Sequence, residues 1–228
     1  MQRHFVVVAG GSGSRMQRDL PKQFIPIAGL PILMHTLRRL HHTAPDASIV
    51  LVLPQAHHAY WQELCQVHRF EISHHLTQGG STRFESVANG LATLPDAEGL
   101  VAIHDGVRPF VSPQTILNGF QTAQAEGNAV AVVALKDSIR QLEPRGDSTH
   151  ADRSRFVLVQ TPQTFRLSLI RKAYYQATDP TLFTDDASVL EAAGHRIHII
   201  EGNYQNIKIT TPEDLLIAEA FAQTDPNH

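Results

Sequence analysis

The sequence contains very little cysteine: Cys65 is the only one among 228 residues. A single cysteine excludes an internal disulfide framework and a zinc site built from several cysteines. Its scarcity fits a reducing compartment, and we expect a cytoplasmic protein. A chain of this length buries roughly 70% of the surface that its unfolded form exposes, so one hydrophobic core is sufficient. We therefore expect a single domain over residues 1–228.

Long apolar runs are also missing. The runs from Phe5 to Ala9 and from Ala129 to Leu135 are much shorter than the roughly 20 residues that a membrane-spanning helix needs. The first run also lacks the length and the cleavage site of a signal peptide. With 42% hydrophobic and 18% charged residues, the composition is typical of a soluble globular protein, and we expect no membrane association.

An excess of positive charge is absent as well. The 19 Lys and Arg residues are outnumbered by 22 Asp and Glu, which gives a formal net charge of −3. Surfaces that bind nucleic acids are usually strongly basic, so we expect no nucleic-acid partner. An anionic ligand must then be bound by a local group of basic residues.

The 14 histidines do not follow the pattern of a zinc enzyme. Pairs such as His41 and His42 are neighbours in sequence, so their side chains point in different directions, and no His-Glu-x-x-His motif is present. The Gly-x-Ser-x-Gly motif of a serine nucleophile is missing too. Zinc catalysis and nucleophilic catalysis are therefore both disfavoured.

Short β-branched runs alternate with helical patterns. Continuous apolar runs, which are typical of strands buried on both faces, occur at 5–9, 48–53, 100–104 and 129–135. Apolar residues with helical spacing occur at 33–40 and 84–91. This alternation predicts an α/β fold with a mostly parallel central sheet flanked by helices, similar to the Rossmann fold.

The segment 136–165 interrupts this alternation. Pro144 and Gly146 lie at its polar centre, with short β-like runs on either side, which predicts a two-stranded β-hairpin arm at about 137–160. An isolated hairpin is only marginally stable, so we expect the arm to pack against a second subunit. Beyond the arm, the pattern predicts helices at 167–177 and 185–193, strands at 195–200 and 207–209, and a closing helix from Pro212.

The strongest local motif is AGGSGSRMQRDLPKQ at 9–23, directly after the first predicted strand. Its glycines allow backbone N–H groups to approach an anion. The motif lacks the Gly-Lys-Ser/Thr ending of a P-loop, and Met16 replaces the third glycine of a dinucleotide fingerprint. What remains is Arg15 and Lys22 beside a glycine loop, which favours a triphosphate site. The alternative is a tight turn with exposed cations.

Further motifs resemble the 2-C-methyl-D-erythritol 4-phosphate cytidylyltransferase family. They occur in the family's order along nearly the whole chain: PKQF at 21–24, GGSTRFESV at 79–87, HDGVRPF at 104–110, KDS at 136–138, DR at 152–153, TPQTF at 161–165, FTDDAS at 183–188 and NIKIT at 206–210. The resemblance implies a nucleotidyltransferase that moves CMP from CTP to 2-C-methyl-D-erythritol 4-phosphate in the non-mevalonate isoprenoid pathway. It also implies Mg²⁺ as cofactor and a homodimer with arm exchange.

The resemblance assigns a role to each motif residue. Arg15 and Lys22 are the expected catalytic cations. The expected nucleotide-binding residues are Ala9, Gly10, Gly11, Gly13, Gly80, Ser86, Asp105 and Gly106. The expected acceptor-binding residues are Arg108, Ser138, Arg153, Thr161, Thr184 and Lys208. Ser138 replaces the family's usual threonine but keeps the hydroxyl group.

Several of these residues have a simpler alternative interpretation. Asp105 follows a buried strand, where it could bind a divalent cation near the phosphates or lie in a solvated turn. Arg108 could be an ordinary surface residue, and Lys208 could protect a sheet edge. The segment around Ser81 and Thr82 could simply cap a helix, although capping and base recognition are compatible.

Two other functions remain open at this point. A ribitol 5-phosphate cytidylyltransferase would share the glycine loop and its cations, and would differ mainly in the acceptor pocket. A nucleotide-sensing module would bind CTP without turnover. The presence of both candidate catalytic cations argues against the second alternative.

Overall fold

The structure is a computed structural model that describes residues 1–11 and 20–224. A seven-stranded sheet forms its centre. The ranges of its strands are Gln2–Val8 (β1), Ser48–Leu53 (β4), His75–Gln78 (β5), Gly99–Asp105 (β6), Asn128–Ala134 (β7), Val157–Arg166 (β10) and Ile199–Glu201 (β11), and their order across the sheet is β11, β7, β10, β6, β1, β4, β5. Two small separate pairs are Pro26–Ile27 (β2) with Leu30–Pro31 (β3), and Ile139–Leu142 (β8) with Ser148–Ala151 (β9).

Helices cover both faces of the sheet. Their ranges are Ile32–Thr43 (α1), His58–Val67 (α2), Arg83–Ala92 (α3), Pro113–Glu126 (α4), Leu167–Gln176 (α5), Asp186–Ala192 (α6) and Pro212–Thr224 (α7). Successive residues of β1 enter different clusters: Phe5 packs with α1 and α4, whereas Val6 packs with α3 and α5. This confirms that the apolar runs are strands buried on both faces. None of the helices in the described ranges is both long and apolar enough to cross a bilayer.

The sheet is mostly parallel, as predicted, with β10 as the exception. β10 runs antiparallel to both of its neighbours, β6 and β7. No α-helix lies between β7 and β10. The chain instead leaves through the β8–β9 hairpin and returns after one short 3-10 helix, Arg153–Arg155, a connection that brings the next strand back antiparallel. The apolar run of β10 alone does not reveal this direction, because parallel and antiparallel buried strands have the same composition.

The arm is shorter than the predicted range of 137–160. Among the described residues, β8 and β9 pair only with each other, from Ile139 opposite Ala151 to Leu142 opposite Ser148. The turn between them contains Gly146 with φ +89°, a left-handed conformation that favours glycine. From Val157 onward the chain pairs with β7 and belongs to the central sheet.

Two predicted strands near the C-terminus need correction. The strand predicted at 195–200 is shorter and later, Ile199–Glu201. The prediction of a strand at 207–209 is wrong, because this segment has no ladder. The Ile207 N–H donates to the nearby Gln205 carbonyl at 2.7 Å, and the Ile209 N–H donates to the Val107 carbonyl at 3.0 Å. Ile209 is nevertheless fully buried, which explains why its alternating pattern is strand-like.

The carboxyl ends of four parallel strands meet at one edge of the sheet. Backbone hydrogen bonds continue past the strands there: Ala9 N–H donates to Val52 (3.0 Å), Gly79 N–H to Leu53 (2.8 Å) and Gly106 N–H to Val8 (2.9 Å). The loops after β1, β5 and β6 are therefore held side by side. This is the edge at which open α/β sheets bind ligands.

Candidate functional site

A cleft of about 440 Å³ lies at this edge of the sheet. Its walls come from the loops after β1, β5 and β6 and from the segment that carries Lys208. Most of the predicted nucleotide-binding residues line it: Ala9, Gly10, Gly11, Gly80, Ser86 and Asp105, together with Lys22 and Lys208. Gly13 and Arg15 lie outside the described residues, so their predicted roles stay predictions.

The first glycine loop brings its backbone close to Lys22. A Cβ added at Gly11 would lie 3.1 Å from Cε of Lys22. A side chain at position 11 would therefore crowd the lysine. Lys22 begins a short 3-10 helix, Lys22–Phe24, whose Phe24 is buried against Trp61. The buried aromatic residue fixes the base of the lysine, so its ammonium group is held beside the glycines.

The second glycine loop is built around Ser86. The Gly80 N–H donates to Oγ of Ser86 at 3.1 Å, and that hydroxyl donates to the Thr82 carbonyl at 2.8 Å. Thr82 is the N-cap of α3, accepting from the Glu85 N–H. A Cβ at Gly80 would lie only 2.2 Å from Cβ of Glu85. The loop is thus both a helix cap and a wall of the cleft. Recognition of a base by this loop stays a prediction.

Gly106 does not itself line the cleft but allows two loops to meet. A Cβ there would lie 2.8 Å from Cβ of Ala9 and 2.9 Å from Cδ1 of Leu33. Its carbonyl accepts a hydrogen bond from Thr36 at 2.9 Å. Gly106 therefore sets the spacing between the loop after β1 and the loop after β6.

Asp105, the last residue of β6, is surrounded by three cations. Its Oδ2 atom lies 3.1 Å from Nζ of Lys208 and 3.2 Å from Nε of Arg108, and Oδ1 lies 3.7 Å from Nε of Arg83. Burial alone would raise the pKa of this carboxyl, but the charges of Lys208, Arg83 and Arg108 outweigh burial and hold the pKa well below its usual range. Asp105 is therefore ionised at neutral pH, and the positive charges around it leave the site attractive to an anion.

Lys208 lines the cleft, but it does not lie on a strand. Its side chain is 40% exposed and extends over Asp105. The residue is positioned by buried neighbours, Asn206 and Ile209. The interpretation of Lys208 as a guard of a sheet edge is therefore not supported.

Arg108 and Thr161 hold the Asp105 loop from behind. Arg108 is only 12% exposed, and besides Asp105 it donates to the Asn206 carbonyl at 2.8 Å. Oγ1 of Thr161 accepts from the Asp105 N–H and contacts Nδ1 of His104, both at 3.0 Å. Neither Arg108 nor Thr161 lines the cleft. Their contacts support the residue that does.

The predicted acceptor-binding residues of the arm lie away from this cleft. Ser138 is exposed at the start of the arm, and the Arg153 guanidinium donates to the Lys136 carbonyl. This contact brings Arg153 close to the Ser138 segment, as the folded arm predicts. Thr184 is exposed before α6. None of these three lines the cleft of its own chain.

Sequence reasoning missed Arg83, which lines the cleft. Its two terminal nitrogens donate to the two oxygens of Asp186 at 2.8 and 2.7 Å. Burial would lower the pKa of Arg83, but the charges of Asp186 and Asp105 outweigh burial and raise the pKa above its usual range. Both residues lie within motifs of the resemblance, Arg83 in GGSTRFESV and Asp186 in FTDDAS, but neither motif shows that the two side chains pair.

Asp105 also decides whether a divalent cation fits the site. Within residues 1–11 and 20–224, no group of three or more His, Cys, Asp or Glu side chains could hold a metal ion. Mg²⁺ is usually held through one or two carboxylates together with substrate phosphates, so one buried and ionised carboxylate is compatible with it. The donor set fits a cation that binds with the nucleotide.

Comparison with known proteins gives one family. The family model for IspD, 2-C-methyl-D-erythritol 4-phosphate cytidylyltransferase, matches residues 3–224. The curated enzyme of that name from Porphyromonas gingivalis is 50% identical over 220 residues, covering 96% of each chain. The corresponding enzyme from Phocaeicola vulgatus is 46% identical over 222 residues, covering 97% of this chain and 100% of the relative.

Solved structures agree with this similarity. The crystal structure of 2-C-methyl-D-erythritol 4-phosphate cytidylyltransferase from Thermus thermophilus superposes with a TM-score of 0.79 at 32% identity, covering 98% of this chain and 100% of that one. The 4-diphosphocytidyl-2C-methyl-D-erythritol synthase from Anaerococcus prevotii gives a TM-score of 0.84 at 27% identity and covers 97% of this chain and 96% of that one. The similarity therefore covers nearly the whole chain.

Proposed function

The chain belongs to the 2-C-methyl-D-erythritol 4-phosphate cytidylyltransferase family, and from this premise we propose how its own residues carry out the family's reaction. The protein transfers CMP from CTP to 2-C-methyl-D-erythritol 4-phosphate and releases pyrophosphate. The observation that carries the proposal is the cleft in which Lys22, Lys208 and Arg83 surround a glycine-lined space at the carboxyl ends of the parallel strands. These cations complement a triphosphate, although the whole chain is slightly acidic.

We assign the two glycine loops to opposite ends of CTP. Gly80 and Ser86 lie where a main-chain group and a hydroxyl could read the edge of cytosine. The loop from Ala9 to Gly11, with Lys22 beside it, would bind the phosphates through the backbone N–H groups of its glycines, because the Ala9 N–H already donates to the Val52 carbonyl. Gly13 and Arg15 complete this loop in the sequence.

The chemistry requires no general base. An oxygen of the acceptor phosphate is already an anion, and it forms a bond to the α-phosphorus of CTP. The bond from that phosphorus to the oxygen bridging to the β-phosphate breaks, and pyrophosphate leaves with the electron pair. The protein acts by positioning and charge neutralisation, in which Arg15 and Lys22 stabilise the charge that grows on the phosphate oxygens.

Asp105 would hold a divalent cation, which we propose to be Mg²⁺. When bound, Mg²⁺ neutralises charge on the phosphate oxygens. Arg108 and Thr161 hold the Asp105 loop, and Lys208 lies between this carboxylate and the solvent side of the cleft. We assign Lys208 to the acceptor phosphate as well, because it is the exposed one of the two cations on Oδ2.

We propose that the acceptor site is completed by the arm of a second subunit. Ser138 and Arg153 lie together on the arm but outside the cleft of their own chain, as exchange between subunits requires. The segment before and within the start of β10 is apolar and exposed, with Phe156 at 51% and Leu158 at 54%. A homodimer would cover this surface.

Two further assignments belong to this proposal. Thr184 remains assigned to the acceptor pocket. The scarcity of cysteine, with Cys65 as the lone one, fits a cytoplasmic enzyme.

A pyrophosphate-release assay tests the substrate assignment. CTP, ATP, UTP and GTP are each paired with 2-C-methyl-D-erythritol 4-phosphate and with ribitol 5-phosphate. We expect release only from CTP with the methylerythritol acceptor. Release with the ribitol acceptor instead would favour the ribitol 5-phosphate cytidylyltransferase, and CTP binding without release for either acceptor would favour a nucleotide-sensing module.

A further inference from the structure

Arg83 lies between two carboxylates that belong to different parts of the chain. Asp186, at the start of α6, binds both terminal nitrogens of the guanidinium at 2.8 and 2.7 Å. Asp105, in the cleft, faces the remaining nitrogen, Nε, at 3.7 Å. The first contact is a bidentate charge-assisted pair, whereas the second is longer than a hydrogen bond. The guanidinium is therefore held by Asp186 and only faces Asp105.

Asp186 is itself fixed. Its side chain is fully buried, and the hydroxyl of Tyr174 donates to its Oδ1 at 2.7 Å. Asp185, the N-cap of α6, accepts from the Ser188 N–H at 2.9 Å and from the Gln163 amide at 2.9 Å. These contacts attach the start of α6 to β10. The position of Arg83 is thus set by a rigid element outside the cleft.

The two oxygens of Asp105 are consequently unequal. Oδ2 has two close cations, Lys208 at 3.1 Å and Arg108 at 3.2 Å. Within the described residues, the one ion pair found at Oδ1 is the longer contact to Arg83. If Asp186 lost its charge, Arg83 would keep a buried positive charge with Asp105 as the nearest carboxylate, and the guanidinium would be drawn towards Oδ1.

We propose that Asp186 is a positioning residue that holds Arg83 back from Oδ1 of Asp105 and so leaves this oxygen to the divalent cation that enters with CTP. The inference rests on the metal role assigned to Asp105 in the proposed function. It goes beyond that role because it assigns the control to Asp186 on α6, which does not line the cleft. Arg83 then contributes positive charge to the site without occupying the metal position.

The test measures how much Mg²⁺ strengthens the binding of the nucleotide to the protein. Isothermal titration calorimetry gives the affinity for the unreactive α,β-methylene analogue of CTP with Mg²⁺ and with EDTA, and the ratio of the two affinities reports their coupling. We expect Asp186→Asn, which keeps shape but removes charge, to reduce this ratio about tenfold, the scale of effects from residues that orient metal ligands. Tyr174→Phe is the matched control, because it removes one hydrogen bond to Asp186 but leaves the fork with Arg83, and it should keep the parent ratio.

A double variant separates this mechanism from a loss of structure. In Asp186→Asn with Arg83→Met, no guanidinium remains to approach Oδ1, so the ratio should return to the parent value. A purely structural role predicts instead that the double variant couples no better than the single one, which would overturn the inference, as would a parent-like ratio in Asp186→Asn. If the parent protein binds the nucleotide equally well with Mg²⁺ and with EDTA, the metal role of Asp105 is wrong, and the inference fails with it. The substrate assignment is tested separately by the pyrophosphate assay.

Discussion

His104 is a buried histidine whose protonation state follows from its partners. Nε2 lies 3.0 Å from the Arg108 carbonyl, which can only accept, so Nε2 carries the hydrogen. Nδ1 must then accept from the hydroxyl of Thr161 at 3.0 Å, and that hydroxyl in turn accepts from the Asp105 N–H. The neutral ring therefore fixes the backbone of Asp105.

This neutral state makes stability depend on pH. Burial lowers the pKa of His104 from its ordinary value of 6.5 to about 4. Below pH 6.5, His104 therefore binds a proton in the unfolded chain but not in the folded chain. Stability is lost as the pH falls from 6.5 towards 4. Between pH 7.5 and 5 this residue should remove about 2 kcal/mol of unfolding free energy.

Urea unfolding at these two pH values measures the loss. Because the chain has 14 histidines, the informative quantity is the difference between the parent protein and His104→Gln, which keeps a donor for the Arg108 carbonyl but cannot titrate. The variant should be less stable at pH 7.5 and less sensitive to acid. His42→Gln, a change at an exposed histidine, should leave the acid sensitivity unchanged. Equal acid sensitivity in the parent and His104→Gln would show that His104 is not the responsible group.

Among the elements, the start of α3 depends most on the absence of a side chain. At Gly80 an added Cβ would lie 2.2 Å from Cβ and 3.1 Å from the backbone carbon of Glu85. Gly80→Ala must therefore displace the first turn of α3, and with it Ser86. We expect a lower unfolding temperature and a higher KM for CTP, with overpacking of this kind costing about 1–3 kcal/mol.

Gly10→Ala is the matched control for the loss of stability. Gly10 lines the same cleft, but an added Cβ would meet nothing closer than Oγ of Ser86 at 3.8 Å. Its unfolding temperature, measured by circular dichroism, should stay near that of the parent protein. If the unfolding temperature of Gly80→Ala is no lower than that of Gly10→Ala, the loop before α3 accommodates a side chain more easily than its contacts indicate.

Elements could be predicted from sequence where local pattern and tertiary environment agree. The strand Ser48–Leu53 has its predicted bounds because both of its faces are buried and Pro54 follows it. The segment 207–209 alternates like a strand, yet Lys208 lines the cleft and no ladder forms. The Ile209 N–H donates instead to Val107, which lies beyond the end of β6. The direction of β10 depends on which strands it joins, a long-range fact that no local pattern contains.

For the whole molecule, the sequence predicts which residues belong to the site more reliably than it predicts the contacts that each residue makes. The glycine loops, Lys22 and Lys208 meet at one cleft, because motifs that follow parallel strands share an edge of the sheet. Arg108 was expected at a phosphate but is engaged by Asp105 and the Asn206 carbonyl. Arg83 was missed, because its importance depends on Asp186, about 100 residues away, and a pairing at that distance is visible only in the fold.

The last prediction concerns the assembly, because the proposed site needs a cleft from one subunit and an arm from another. Lys22→Ala should damage the cleft and Arg153→Ala the arm, each lowering kcat in its own homodimer by about a hundredfold or more, the usual effect of removing one preorganised charge. In a mixed dimer, one site receives both defects and the other receives neither. After subunit exchange of equal amounts, half of the dimers are mixed and each has one intact site, so activity should recover to about a quarter of the parent value.

Exchange must be verified independently for this result to count, for example by native mass spectrometry of the mixed sample. A mixture of the parent protein with Lys22→Ala gives the control, because its activity should equal the average of the two components whichever way the arms lie. Recovery in the mixture of the two variants requires that Lys22 and Arg153 act on one substrate from different chains, since a site built within one chain would leave every subunit with a defect. Verified exchange without recovery would therefore place the arm against its own cleft, and the exposed apolar segment at Phe156 would need another partner.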